Sequence, residues 1–118
     1  MVKKKKIKII SSTRGNIIKF FNFKQKFLKK YGEIYFSEIK KNKFKGWKYH
    51  NKRNQVMSIC SGEVEFSFKK KINGNIKKIK MSYPNNLYVI FIPNKTYYSF
   101  KCLSKKKALI VNLIDEIV

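Results

Sequence analysis

The stretch EVEFSFKKKINGNIKKIKM, running from Glu63 to Met81, decides the fold class. Val64, Phe66 and Phe68 alternate with Glu63, Glu65, Ser67 and Lys69, the period of two expected of a strand with one buried and one wet face. Asn73-Gly74 then supplies residues that tolerate the backbone angles of a tight hairpin, so the chain should fold back over residues 76–81. Outward from this hairpin, residues 15–21, 34–39, 55–60, 87–92, 97–103 and 108–114 are rich in Ile, Val, Phe and Tyr. Asn42, Ser61-Gly62, Pro84-Asn85-Asn86 and Pro93-Asn94 punctuate them as turns. Many short strands with close turns predict an all-β sandwich or barrel. Only residues 23–31 offer a weak helical pattern.

With 118 residues, 43% of them apolar and 15% aromatic, the chain can bury one core but not two. The expected organisation is a basic tail over residues 1–6 that frays, followed by a single domain over 7–118. No apolar run is long enough to span a membrane, and the basic start is followed only by a short run at Ile7 to Ile10, interrupted by Lys8, which has no obvious hairpin partner in sequence and is the element expected to be exchanged between two subunits. No membrane partner and a cytoplasmic location are therefore expected. Cys60 and Cys102 each sit in an apolar, strand-like setting and are expected as two reduced, buried thiols.

The formal charge is +23, from 29 basic and 6 acidic residues. Clustered cations favour nucleic acid. Yet Arg14 and Arg53 are the only arginines, whereas bidentate phosphate and base recognition draws on the guanidinium fork. Lys, Asn and Ile share A/T-rich codons, and Ala occurs once, at Ala108, so nucleotide composition accounts for much of the charge without a partner.

The middle of the chain carries the chemistry: Lys45-Gly46-Trp47-Lys48-Tyr49-His50, then Gln55 and Gly62. Metal-binding cupins show two histidines one residue apart, an acid five positions later and a glycine seven further on; Lys48, His50, Gln55 and Gly62 fall on those places without a gap. Of a second pattern, a proline with a glycine two later and a histidine five later, the counterparts are Pro93, Lys95 and Tyr98. The chain thus resembles the cupins, which implies a small jelly-roll β-barrel. An ammonium repels a divalent cation and an amide is a poor ligand, so Lys48, Gln55 and Tyr98 beside His50 point to a metal-independent site with no cofactor. On a strand Lys48 and His50 should share the lumenal face, with Trp47 and Tyr49 on the other.

Within the cupins, Thr13-Arg14-Gly15, Gly32-Glu33-Ile34-Tyr35-Phe36-Ser37, residues 45–55 and residues 92–100 resemble the sugar-nucleotide enzymes typified by dTDP-4-dehydrorhamnose 3,5-epimerase and the dTDP-4-dehydro-6-deoxyglucose 3,4-ketoisomerases. The resemblance implies an isomerase or epimerase acting on a nucleoside-diphosphate 4-keto-6-deoxyhexose, with dTDP as the nucleotide, for surface polysaccharide, and a homodimer. The family's proton-moving histidine of an arginine-glycine-x-histidine stretch corresponds to Lys48. The second histidine of the ketoisomerases corresponds to His50 and their glutamine to Gln55, while Lys45 falls in the substrate-binding stretch. Such a reaction needs a base, an enolate donor and cations for the diphosphate. His50, with an unperturbed pKa near 6.5, suits the base. Lys48 suits the enolate donor or, with a lowered pKa, the base itself. Tyr98 or Tyr35 can return the proton, and Arg14 and Arg53 suit the diphosphate. Two other classes remain beside this one: a sugar-nucleotide binder without catalysis, and a basic nucleic-acid-binding barrel, disfavoured because a lumen cannot admit a duplex.

Overall fold

The computed structural model describes residues 1–22, 24–30 and 32–116. Eleven strands are formed: β1 (Lys3–Lys6), β2 (Lys8–Ile10), β3 (Ile17–Lys19), β4 (Glu33–Ile39), β5 (Phe44–Tyr49), β6 (Gln55–Ser61), β7 (Glu63–Lys69), β8 (Lys77–Ser82), β9 (Tyr88–Ile92), β10 (Tyr97–Cys102) and β11 (Ala108–Ile114). A five-stranded sheet runs β1-β9-β6-β11-β4, a four-stranded sheet runs β5-β10-β7-β8, and β2 pairs with β3 alone. All pairings are antiparallel. The expected all-β jelly roll is present as two sheets, with no strand pairing among the described residues that closes them into one continuous barrel.

The alternation in β7 has the predicted consequence. Val64, Phe66 and Phe68 stand opposite Cys102, Phe100 and Tyr98 of β10, and all six are buried. Ile79 and Met81 of β8 continue this layer opposite Phe66 and Val64. Each such fully buried side chain contributes about 1.5–3 kcal/mol of transfer free energy. On the other face Glu65 meets Lys78 and Lys80 at 3.7 and 3.9 Å, pairs too exposed on the lysine side to hold the sheet together. Strand β6 lies between β9 and β11, and Gln55, Val56, Met57, Ser58 and Ile59 are all buried, so this strand is covered on both faces. One cover is an aromatic group in which Phe21 and Phe27 pack on Phe91 of β9.

Three expectations change. Lys3–Lys6 do not fray: they pair residue for residue with Phe91 to Tyr88, because the edge of β9 offers unpaired backbone groups that a strand satisfies even when its side chains stay wet. The apolar run at Ile7 to Ile10, which shows no hairpin partner in sequence, finds one in β3 across a turn at residues 12–16. Residues 24–30 form turns and bends rather than a helix; the ends of that expected segment, 23 and 31, lie outside the described residues. Both cysteines are free thiols, Cys102 buried and Cys60 half-buried.

Gly62 sits between β6 and β7 at φ +82°, and a Cβ there would meet Ala108 Cβ at 2.7 Å and its Cα at 2.9 Å. Its carbonyl accepts the Tyr83 N–H at 2.9 Å, so the turn ties three strands. A left-handed L-residue costs about 1–2 kcal/mol and an overpacked contact about 1–3 kcal/mol. Gly62→Ala should therefore lower stability by about 2–5 kcal/mol in urea denaturation; an unchanged midpoint would contradict this reading of the turn.

Candidate functional site

The lumenal ends of β5, β6, β10, β11 and β4 bring together a chain of polar side chains. His50, one residue past β5, places its Nε2 2.9 Å from the Tyr98 hydroxyl of β10. Gln55, the first residue of β6, lies close enough to the Tyr98 hydroxyl to act on its ionisation. Asn112 of β11 donates from Nδ2 to Gln55 Oε1 at 3.2 Å and to the Tyr35 hydroxyl of β4 at 2.8 Å. The run Tyr35, Asn112, Gln55, Tyr98, His50 thus crosses from one sheet to the other. Gln55, Tyr98 and Asn112 are 2%, 2% and 3% exposed, so the middle of the run is dry while His50 and Tyr35 are half-buried at its ends. Asn112 Oδ1 is buried without a hydrogen-bond partner. An acceptor left so costs about 1–3 kcal/mol, and it is the kind of orphan a ligand donor or water satisfies.

His50 is held by backbone. The turn after Pro93 puts Lys95 at φ +61°, a left-handed conformation, and its N–H donates to the His50 carbonyl at 2.7 Å. Lys95 occupies the place where the cupin pattern carries glycine, and it adopts the conformation glycine would supply. The two loops are further tied by the Asn94 N–H to Asn54 Oδ1 at 2.9 Å and by the Asn54 N–H to Asp115 Oδ1 at 3.0 Å. Gly46, at φ +141°, lets β5 approach β10, since a Cβ would collide with Ser99. The register slips between Tyr98 and Phe100, which leaves Lys48 opposite Tyr98 and Lys45 opposite Phe100.

Burial holds the His50 imidazole below its usual pKa, and the positive charges of Arg53 and then Lys48 add to this. Burial likewise pushes Tyr98 up to about 12, outweighing Gln55 and Arg53, which act the other way. Tyr35 is raised for the same first reason. At neutral pH the site therefore holds a neutral imidazole at one end of the run, able to accept a proton, and two protonated phenols, one beside it and one at the far end, able to donate one.

Of the residues singled out from sequence, His50, Tyr98, Gln55 and Tyr35 come together in the lumen, and Arg53 lies close enough to act on His50, Tyr98 and Tyr35. Lys48 acts on His50 through its charge but is exposed. Lys45 is also exposed and donates from Nζ to the Glu38 carbonyl at 2.6 Å, which directs it toward β4. Arg14 lies in the turn between β2 and β3, exposed, with its backbone N–H on Ser12 Oγ. Trp47 and Tyr49 are on the outer face as expected: Lys69 Nζ lies 4.2 Å over the Trp47 ring, and Tyr49 packs on Tyr97 at 4.6 Å. Asn112 is the residue the sequence reading missed. Its signal was an amide inside ALIVNLI, where a buried strand carries polar groups only when they are paired. Among the described residues no three His, Cys, Asp or Glu side chains cluster as metal ligands. A cleft of about 480 Å³, lined by Lys29, Lys30, Lys52, Lys95, Asp115 and Glu116, lies beside the His50 loop, and its lining includes no histidine, tyrosine or cysteine.

No protein-family model and no curated protein matches the chain by sequence. Solved structures do match. A dTDP-sugar isomerase from Desulfovibrio desulfuricans G20 superposes with a TM-score of 0.89 at 21% identity, over 99% of this chain and 78% of that one. A 3,4-ketoisomerase from Helicobacter canadensis gives 0.82 at 20% identity, over 99% and 84%. The dTDP-6-deoxy-D-glucose-3,5-epimerase of Legionella pneumophila, solved with dTDP-4-keto-L-rhamnose, gives 0.84 at 19% identity, and this chain spans 66% of its length. The fold is the one these isomerases and epimerases share, and the likeness expected from the sequence is present at that level.

Because the native His50 pKa lies below the unfolded value near 6.5, the unfolded chain takes up its proton first on acidification. The stabilisation from this group is complete above that value and is lost as pH falls toward the native pKa. In an NMR titration the His50 ring should titrate below 6.5, and both Arg53→Gln and Lys48→Met should raise its midpoint. A wild-type midpoint above that value would contradict the electrostatic description.

Proposed function

We propose that this protein is an isomerase or epimerase of a nucleoside-diphosphate 4-keto-6-deoxyhexose, with dTDP as the nucleotide. The observation that carries the reading is the hydrogen bond between a neutral His50 and a protonated Tyr98 at the lumenal end of the polar run. Two of the solved structures named above, the isomerase and the 3,5-epimerase, are named for dTDP sugars, which supports the same substrate class.

In this proposal His50 Nε2 takes the proton from the carbon next to the ketone. The C–H electron pair becomes the C=C bond of an enolate, whose oxygen carries the negative charge toward Lys48 and the Tyr98 hydroxyl. Tyr98 first turns its hydrogen bond from His50 to that oxygen. Reprotonation of the same carbon from the opposite face gives an epimer. Proton transfer from the neighbouring hydroxyl, with protonation at the former carbonyl carbon, moves the ketone instead. Neither route consumes an oxidant or a metal. Tyr35, at the far end of the run, is the donor placed to return a proton from another direction. Arg53 is the first cation for the diphosphate, and Lys45 and Arg14 are rim cations that a bound nucleotide would have to recruit.

Incubation with dTDP-4-keto-6-deoxyglucose in deuterium oxide, with product analysis, tests the reaction class. Label at carbon 3 alone supports 3-epimerase, label at carbons 3 and 5 supports 3,5-epimerase, and label at carbon 4 of a 3-keto product supports ketoisomerase; unlabelled, unchanged substrate contradicts all of them and leaves the binder without catalysis. His50→Asn should reduce turnover at least about a hundredfold while nucleoside-diphosphate affinity stays nearly intact. Wild-type turnover in a folded variant would contradict the assignment of the base.

A homodimer is the second part of this proposal. Ile34 and Phe36 on the edge strand β4, and Phe44 on the edge strand β5, are 58%, 59% and 54% exposed, and unpaired strand edges invite a second copy. Two chains of charge +23 repel, so light scattering should show the dimer strengthening as salt rises from about 0.05 to 0.3 M. A monomer at every salt concentration would contradict it.

A further inference from the structure

The turn between β7 and β8 breaks the rule that hairpin tips are polar. Ile72 and Ile76 flank Asn73-Gly74-Asn75 and are 68% and 51% exposed. Lys70 and Lys71 precede them and Lys77 and Lys78 follow, all exposed. Lys77 Nζ donates to the Val2 carbonyl at 3.2 Å, and Met1 and Val2 line a small pocket with Lys69, Lys70 and Lys77, which brings the N-terminal end of β1 to the hairpin. No Asp or Glu occurs before Glu33 or between Phe66 and Ile114, so both segments are cationic without interruption. The acidic residue on the neighbouring part of β7, Glu65, is engaged with Lys78 and Lys80 up the strand, away from the tip. Composition bias explains many lysines. It favours isoleucine as well, so what counts is where Ile72 and Ile76 stand: both are held out in water at a hairpin tip, at the centre of a basic patch.

We propose that the β7–β8 tip and β1 form a docking surface for an anionic phospholipid bilayer. An exposed apolar tip ringed by long-stemmed lysines is the arrangement that sinks aliphatic side chains below the headgroups while the ammonium groups stay among the phosphates. A nucleic-acid strand fits the patch less well. Bases are gripped by aromatic side chains and arginine, and neither occurs in residues 1–8 or 69–80. No helix among the described residues is long and apolar enough to cross a membrane, so the surface is one for lying on a bilayer. The expectation of no membrane partner rested on spans and anchors, which this surface does not use. The proposal is independent of the chemistry assigned to the lumen.

Flotation of the full chain with vesicles tests it, using phosphatidylcholine alone and phosphatidylcholine with about a third phosphatidylglycerol, near 0.1 M salt. The protein should float with the anionic vesicles and not with the neutral ones. Ile72→Ser/Ile76→Ser leaves the charge unchanged and should weaken binding at least about tenfold with an unchanged melting temperature. Lys70→Gln/Lys71→Gln should weaken it as well and reduce its salt dependence. Failure to float with anionic vesicles would overturn the proposal, as would equal binding by the isoleucine variant, which would reduce the patch to charge alone. Tighter binding of a single-stranded RNA oligonucleotide, insensitive to the isoleucine changes, would overturn it in favour of nucleic acid.

Discussion

A polar group enclosed between two apolar sheets must find a partner or be paid for in stability, and the lumen of this protein is organised by that constraint. Gln55 and Asn112 are amides in mostly apolar strands, and both are almost wholly buried. They share one hydrogen bond, and through their second contacts they reach Tyr35 on one side and Tyr98 on the other, while Asn112 Oδ1 is left without a partner. The phenols fix where the run can end, and His50 is the end that can change protonation state near neutral pH. A low local dielectric strengthens the run and keeps His50 uncharged, so packing and proton chemistry have one cause.

Backbone geometry places that end of the run. His50 lies outside its strand, where a side chain would ordinarily wander, but the Lys95 N–H holds its carbonyl and the Asn54 and Asn94 contacts brace both loops. Lys95 accepts a left-handed backbone to do so. A non-glycine residue in that conformation costs about 1–2 kcal/mol, a cost the paired loops offset through the hydrogen bonds they gain. The strong positive charge acts locally here: Arg53 and Lys48 depress the same imidazole that burial depresses.

Much of this was legible in the residues. Alternation at Val64, Phe66 and Phe68 reports one buried face, and the spacing of Lys48, His50, Gln55 and Gly62 places the site and its turn glycine. What escaped has physical reasons. Lys3–Lys6 have no apolar face, and their strand exists only because the β9 edge needs a backbone partner, which is a tertiary fact. The β2–β3 pairing was hidden because β2 and β3 are three residues each, too short to show a period. Asn112 reads as one amide in an apolar run until Tyr35 and Gln55, distant in sequence, are brought to it. The positive φ of Lys95 could not be read from a lysine.

The central claim is that the reacting sugar lies in the lumen against His50 and Tyr98. A crystal structure of the His50→Asn protein with dTDP-4-keto-6-deoxyglucose tests it most directly. The account predicts the hexose ring in the lumen, with carbon 3 about 3–3.5 Å from the residue-50 side chain and the Tyr98 hydroxyl within hydrogen-bond reach of a sugar oxygen. A sugar nucleotide seated in the lysine-lined cleft of Lys29, Lys52 and Lys95, with the lumen holding only water, would contradict it.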